Sequence, residues 1–483
     1  MKRAFRPRRK EASAALPASR TYRKPPLTAR AIAYDVLSRA AQSGQFATRV
    51  LESRLDAINP APQERKLAVE LVNGVVRRHS TLDLIVRSQL MRSQEDVEEG
   101  LMILLQLGAY QLVFLSGIPE HAAVNETVEV AKVWGESRWT AFLNGVLRSI
   151  SKLATPEWAT TPASNHVPTT AGSSSDPTTH KYRVLNTAVF PDPARDPIGY
   201  FTAAFSFPAW LAERWFARVG QDELYRWGFW FNTPSKLCLR SNSMKITRDE
   251  LLERLQSAGV GAQAGVEPQS IWLDQGAAVS KLPGYAEGLF TVQDESAMSA
   301  ARRLAPPPGS AVLDLCAAPG GKTVHMAELM QNQGKITACD IDGQRLGLVT
   351  DTCNRLGMSI VETWAIPTPT NDLPRGPFNA VMVDVPCSNS GVLGKRPEAR
   401  WRQQPTDLQE LPELQHRLLC TALARTLPGA KVLYSTCSIE PEENRAVVNH
   451  ALAGFPEWRL VEDVSFVPGA PGDGGYQALL ARD

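Results

Sequence analysis

The stretch AVLDLCAAPGGKT (311–323) carries the reading of the fold. An apolar run breaks directly into a loop of small residues, Cys316, Ala317, Ala318, Pro319, Gly320 and Gly321, followed by Lys322 and Thr323. Further short apolar runs lie at 335–339, 379–383 and 431–434, separated by helical periodicity over 322–332, 342–356 and 408–426. Strand alternating with helix implies a parallel, doubly wound sheet. In such a sheet the first strand-to-helix loop brings a nucleotide-like ligand against backbone and a helix N-terminus. The loop is not a GxGxxG fingerprint. It is not a phosphate-binding P-loop either, because Cys316 stands where that motif needs its first glycine. The second strand ends KITACD, which places Asp340 at its carboxyl end, where a carboxylate suits a ribose hydroxyl pair. Asp384 ends a third strand. Singly these are weak signals; together they point to an adenosyl ligand.

Two cysteines occupy the ends of the later strands, Cys387 in VDVPCS (383–388) and Cys437 in YSTCS (434–438). A free cysteine is usually a small buried hydrophobe, and Cys238, Cys339, Cys353 and Cys420 are read so. Cys316 is read as a wall of the ligand loop. The polar strand-end settings of Cys387 and Cys437 point instead to a reactive pair. Methylation of a pyrimidine ring carbon is one task that fits. Carbon 5 of cytosine is too electron-poor to attack a methyl donor unaided. A thiolate added at carbon 6 generates an enamine, carbon 5 then takes the methyl group, and a base removes the carbon 5 proton. One cysteine would attack and a second group would assist elimination, while an acid hydrogen-bonded to the ring would stabilise the developing charge.

The bulk numbers agree with a soluble globular chain. Of 483 residues, 43% are hydrophobic and 21% charged. No apolar run reaches the roughly 18–20 residues of a membrane span, and the N-terminus lacks the apolar segment of a secretory signal. Seven cysteines without a CxxC argue against a disulfide framework and against a zinc site. A reducing cytoplasm is expected, and no metal. Net charge is +2, yet residues 1–26 hold nine Lys/Arg against one Glu, leaving the remainder net acidic. Such a tail either binds nucleic acid through phosphate charge or is a solvated extension; an Arg-rich transit peptide is a lesser alternative.

Five regions follow from the pattern: a basic tail (1–26), a helical bundle (27–155), a flexible Ser/Thr/Pro-rich linker (156–190), a small α+β module (191–285) and the α/β domain (286–483). The aromatic segments AWLAERWFARV and ELYRWGFWF in the fourth region are read as core rather than base-stacking platforms.

The motifs LDLCAAPGGKT (313–323), DVPCSNSGVLGKRPEARWR (384–402) and YSTCSIEPEEN (434–444) closely resemble the RsmB/NOP2/Sun family of RNA (cytosine-5)-methyltransferases. ELVNGVVRRHSTLD (70–83), IPEHAAVNETVEVAK (118–132) and FLNGVLR (142–148) resemble the NusB-like domain at the front of its RsmB-type members. FSFPAWLAERW (205–215) and LCLRSN (237–242) are similar to the RNA-binding subdomain between the two. The resemblance implies an all-α NusB-like bundle, a small α+β RNA-binding subdomain and a Rossmann-like class I methyltransferase domain. It implies Cys437 as nucleophile, Cys387 in product release, and S-adenosylmethionine held by Cys316 to Lys322 and by Asp340. Asp384 would lie near both donor and base. Lys395, Arg396, Arg400 and Arg402 would contact RNA phosphates. The implied partner is 16S rRNA, met by a cytoplasmic monomer with no membrane association. One departure stands out: the family usually carries an Asp near adenine after the third strand, where this chain has Ala365 and Ile366. Its main rival is therefore a degenerate methyltransferase kept as an RNA-binding ribosome-assembly factor. A DNA cytosine methyltransferase is disfavoured by the TCS motif and the NusB-like front; a purely RNA-binding module is disfavoured by intact Cys437 and the donor loop.

Overall fold

The computed structural model describes residues 28–90, 97–169, 181–274, 276–366, 373–469 and 472–483. The basic tail therefore lies outside the described residues. The chain divides into two compact units, one of residues up to Thr233 together with Leu393–Arg402, the other of Pro234–Val392 and Gln403–Asp483.

The first unit opens with seven α-helices among the described residues: Ala29–Ser43, Ala47–Ile58, Pro62–Arg77, His79–Ser88, Glu99–Phe114, Glu120–Val133 and Thr140–Leu153. Local chemistry marks their ends. The Thr28 hydroxyl accepts from the Ala31 N–H to start the first helix, and Gly44 stops it in the left-handed region. Glu99–Phe114 is apolar nearly all round because it runs through the centre, with Leu104, Leu105 and Ala109 inaccessible. Gly108 lets it meet Thr140–Leu153 closely, since a Cβ there would sit 2.4 Å from Leu147 Cδ2.

The linker expectation fails on both sides of 170–180. Strands β1 (Ala154–Ala159), β2 (His166–Thr169) and β3 (Lys181–Leu185) form an antiparallel sheet in the order β1-β3-β2. A few anchors suffice: Val167, Tyr182 and Leu185 are buried, and Tyr182 packs edge-on against Phe229 with centroids 5.3 Å apart. Helices Pro197–Ala204 and Ala209–Asn232 follow, the latter kinked at Gly220. Phe201, Phe205, Phe207, Trp215 and Phe231 are fully buried, as the core reading of the aromatics expects. These helices belong to the first unit, whereas the strands after them belong to the second. Thr81 Oγ1 donates to the Ala203 and Ala204 carbonyls, and the Ser80 N–H to Ser206 Oγ, which ties the aromatic helices to the bundle.

The second unit starts with an antiparallel sheet of β4 (Cys238–Ser241), β5 (Ala262–Ala264), β6 (Ser270–Leu273) and β7 (Phe290–Val292) in the order β5-β6-β4-β7. Helix Arg248–Ser257 covers it and begins at a Thr247/Glu250 capping box. The larger sheet holds β8 (Ala311–Leu315), β9 (Lys335–Asp340), β10 (Val361–Ala365), β11 (Phe378–Asp384), β12 (Thr426–Thr436), β13 (Trp458–Phe466) and β14 (Gly475–Arg482). Their order is β10-β9-β8-β11-β12-β14-β13. The first five are parallel and β14 is antiparallel to both its neighbours. Strand order reverses between β8 and β11, so a crevice opens at their carboxyl ends. Apolar clusters cover both faces, one around Val381, Val383, Val432 and Leu419, the other around Val312, Met326, Ala338 and Met382. No helix among the described residues is long and apolar enough to cross a membrane.

Candidate active site

The loops after β8, β9, β11 and β12 gather the chemistry. After β8 the chain turns through Cys316 at φ 65° and Gly320 at φ 102° before helix Gly321–Leu329 begins. Gly320 is required there by its positive φ and by Val349, whose Cα would lie 3.1 Å from an added Cβ. Asp340, at the end of β9, braces this loop: its carboxylate accepts from the Ala318 N–H at 3.1 Å and the Asp342 N–H at 3.0 Å. Arg345 Nη2 donates to the Ala318 carbonyl at 2.7 Å. Burial, reinforced by Asp340, Asp384 and Asp314, pushes the Cys316 thiol up.

Asp314 was not anticipated. It is buried under the loop with Oδ2 accepting from Thr323 Oγ1 at 2.6 Å, while Oδ1 has no partner among the described residues. Burial raises its carboxyl to about 7, against the lowering effect of the Thr323 bond.

Asp384, at the end of β11, accepts from Lys322 Nζ at 2.6 Å and from Ser435 Oγ at 2.6 Å. The parallel register pairs Asp384 with Ser435 directly. Burial acts to lower the Lys322 ammonium, but the Asp384 charge, its hydrogen bond and the nearby Cys437 sulfur outweigh that, and the net shift is upward. A fixed cation thus stands near Cys437.

The same register brings the two thiols together: Cys387 Sγ and Cys437 Sγ are 3.1 Å apart. Cys437 Sγ also donates to Asn389 Oδ1 at 3.3 Å. The hydrogen bond with Cys437, then burial and the Glu443 charge, push the Cys387 thiol well up. Beneath both cysteines lies Glu443, which is inaccessible. Its carboxylate accepts from the Ser388 N–H (2.8 Å), Gln415 Nε2 (3.0 Å) and the hydroxyls of Ser388 and Ser438. Ser388 follows Cys387 and Ser438 follows Cys437, so one carboxylate cross-links the two loops. The Gly391 N–H adds a bond to the Cys437 carbonyl at 3.0 Å. Glu443 lay within the quoted YSTCSIEPEEN motif, but nothing in its spacing marked it as buried.

The expected RNA-contact run is divided. Residues Leu393–Arg402 belong to the first unit. Arg396 is exposed and Lys395 half-buried. Arg402 donates to the Gly44 carbonyl at 2.7 Å and lies over the Phe46 ring. Arg400 corrects the expectation. It is fully buried, with its guanidinium bonded to the carbonyls of Arg77, Ser206, Phe231 and Leu393 and to Asn232 Oδ1. It also sits over the Phe207 ring at 3.9 Å. Its Nη donors are consumed inside the fold, and its Nε is buried there without a partner among the described residues.

An adenosyl donor fits these residues. Asp314 presents an orphaned buried oxygen beneath the loop, the partly open Asp384 carboxylate suits a sulfonium charge, and Ile341, 61% exposed beside Asp340, offers an apolar surface for a base. Strand β10 ends at Ala365 with Ile366 buried, so neither of the two residues at its end among the described residues carries a carboxylate.

Residues 301–471 match the family described as 16S rRNA methyltransferase RsmB/F, residues 27–152 the NusB family, and residues 207–280 the ferredoxin-like domain of RsmF/B-like methyltransferases. A probable ribosomal RNA small subunit methyltransferase B of Synechocystis is 33% identical over 438 residues, covering 90% of this chain and 91% of its own. Its Bacillus subtilis namesake is 29% identical, with 89% of each chain covered. The ribosomal RNA small subunit methyltransferase B of Salmonella paratyphi A is 31% identical, covering 94% and 98%. Among solved structures, PH0851 superposes with a TM-score of 0.73 at 23% identity over 94% of this chain and 98% of its own. A methyltransferase homolog from Pyrococcus horikoshii does so with 0.53 at 26%, over 59% and 99%.

Proposed function

This chain belongs to the family of ribosomal RNA small subunit methyltransferase B, and from that premise we propose that it methylates carbon 5 of a cytidine in 16S rRNA. The observation that carries the reading is the pair of thiols 3.1 Å apart at the ends of β11 and β12, beside the Lys322–Asp384 pair.

Cys437 is the nucleophile. The Lys322 cation near it favours the thiolate. As its sulfur bonds to carbon 6 of the base, the 5,6 π pair becomes an enamine whose electrons are available at carbon 5. Residues 316–322 and Asp340 would hold S-adenosylmethionine, which would supply an electrophilic methyl group. After transfer a base removes the carbon 5 proton, its electron pair re-forms the double bond, and the carbon 6–sulfur bond breaks. Cys387 assists this release. The motifs divide the labour between two otherwise similar cysteines, TCS around Cys437 and PCS around Cys387. Asp384, fixed by Lys322 and Ser435, orients groups between donor and base. The first unit, with Arg396, Lys395 and Arg402, holds RNA by its phosphates. The protein acts as a cytoplasmic monomer.

Ala365 and Ile366, standing at the end of β10 where the family usually carries an Asp, favour a second reading, a degenerate enzyme retained as an RNA-binding assembly factor. Bisulfite mapping of rRNA separates the two. Cells lacking the protein lose one 5-methylcytosine, restored by the parent gene and not by Cys437→Ala. An unchanged pattern supports the assembly-factor reading.

A further inference from the structure

Asn389 bonds to both cysteines, through the backbone carbonyl of Cys387 and the sulfur of Cys437. Its backbone is left-handed, with φ 61°, a conformation asparagine tolerates better than other side-chain-bearing residues. That backbone is held in place: the neighbouring Ser388 N–H is bound by Glu443, and the Val392 N–H donates to the Asn389 carbonyl at 3.1 Å. The orientation of the carboxamide follows from its partners. Nδ2 lies 2.8 Å from the Cys387 carbonyl, which can only accept, so the NH2 faces it. Oδ1 is thereby turned to Cys437 Sγ, 3.3 Å away, where it can only accept the thiol proton.

We propose that Asn389 is a positioning residue, whose Oδ1 holds the proton of the Cys437 thiol and aims that sulfur in the resting enzyme. A carboxamide oxygen is too weak a base to take the proton, so Asn389 restrains the nucleophile without activating it. The restraint opposes Lys322, whose nearby cation favours the thiolate. Free enzyme therefore keeps a protected thiol until substrate displaces this bond. The inference rests on Cys437 being the nucleophile.

The test is alkylation of full-length protein by iodoacetamide across pH 6–10, following the Cys437 peptide by mass spectrometry. Asn389→Gly keeps the positive φ without strain but removes the acceptor. Its Cys437 reacts about threefold to tenfold faster at pH 7, the effect of losing one hydrogen bond, with an unchanged plateau at high pH. Asn389→Asp keeps an oxygen acceptor and reacts at or below the parental rate. An Asn389→Gly curve that coincides with the parent overturns the proposal, as do two variants that both react faster, since that reports a loosened loop. Methyl transfer by Cys437→Ala would sink the assigned nucleophile instead, and is read in a separate assay.

Discussion

Removing the Glu443 carboxylate should loosen both cysteine loops at once, and the size of the effect can be worked from its partners. Four donors converge on it, two from backbone or amide N–H groups and two from hydroxyls. In Glu443→Gln the amide oxygen still accepts from the Ser388 N–H and Gln415 Nε2, and the hydroxyls of Ser388 and Ser438 can rotate to accept from the new NH2. Only the charge assistance is lost, about 1–2 kcal/mol. Glu443→Ala strands the Ser388 N–H and Gln415 Nε2 in a site without solvent access and leaves a void. Two unsatisfied donors at about 1–3 kcal/mol each, plus the cavity, give roughly 3–5 kcal/mol. Native-state hydrogen exchange of the β11 and β12 amides measures this locally, which suits a chain of two units better than a global melt. The expected order is parent, then Gln, then Ala, with methyl-transfer rate falling in the same order and donor affinity unchanged. A cost under about 1 kcal/mol for Glu443→Ala, or equal costs for the two variants, would refute the reasoning.

Two further outcomes follow from buried charge. Asp314, with its folded carboxyl raised to about 7 above an unfolded value near 3.9, binds its proton more tightly when folded. It contributes no penalty below about pH 4, a cost that grows between pH 4 and 7, and about 4 kcal/mol above that. Asp314→Asn should accordingly gain stability relative to the parent as pH rises from 5 to 8, read from paired urea midpoints; a constant difference contradicts it. Arg240 and Glu328 form a fully buried ion pair at 2.5 Å, and Arg240 Nη1 also donates to the Gly321 carbonyl of the donor loop. Arg240→Met should cost about 3–5 kcal/mol, and Arg240→Met/Glu328→Leu should recover most of it. Donor titration should show weakened binding in both, because the bond to Gly321 is lost in each.

What could be read without coordinates follows burial. Strands β8, β9, β11 and β12 are covered on both faces, so their apolar runs stand out. Edge strand β10 is largely exposed and β13 alternates with charged residues, leaving no continuous apolar run to detect. Strands β1 to β3 hide in Ser/Thr/Pro-rich composition because their large apolar anchors among the described residues are few, Val167, Tyr182 and Leu185. The strand-end placement of Cys387 and Cys437 was legible from their motifs. Their 3.1 Å approach depends on the β11–β12 register, which pairs Asp384 with Ser435 and is not written in either segment alone. Cys420, read as buried, is only half-buried and lies against His416 at 3.4 Å. Arg400 misleads for a related reason: a basic run looks like a phosphate contact, and only backbone carbonyls brought from distant segments reveal a core arginine.

The division of labour between the two thiols is the central claim, and a covalent adduct tests it most directly. Cys387→Ala incubated with 16S rRNA and S-adenosylmethionine should accumulate a protein–RNA species that survives denaturing electrophoresis, with the link mapped to Cys437. Adding Cys437→Ala should abolish it. Normal product release by Cys387→Ala, or a link mapped to any other residue, would contradict the account.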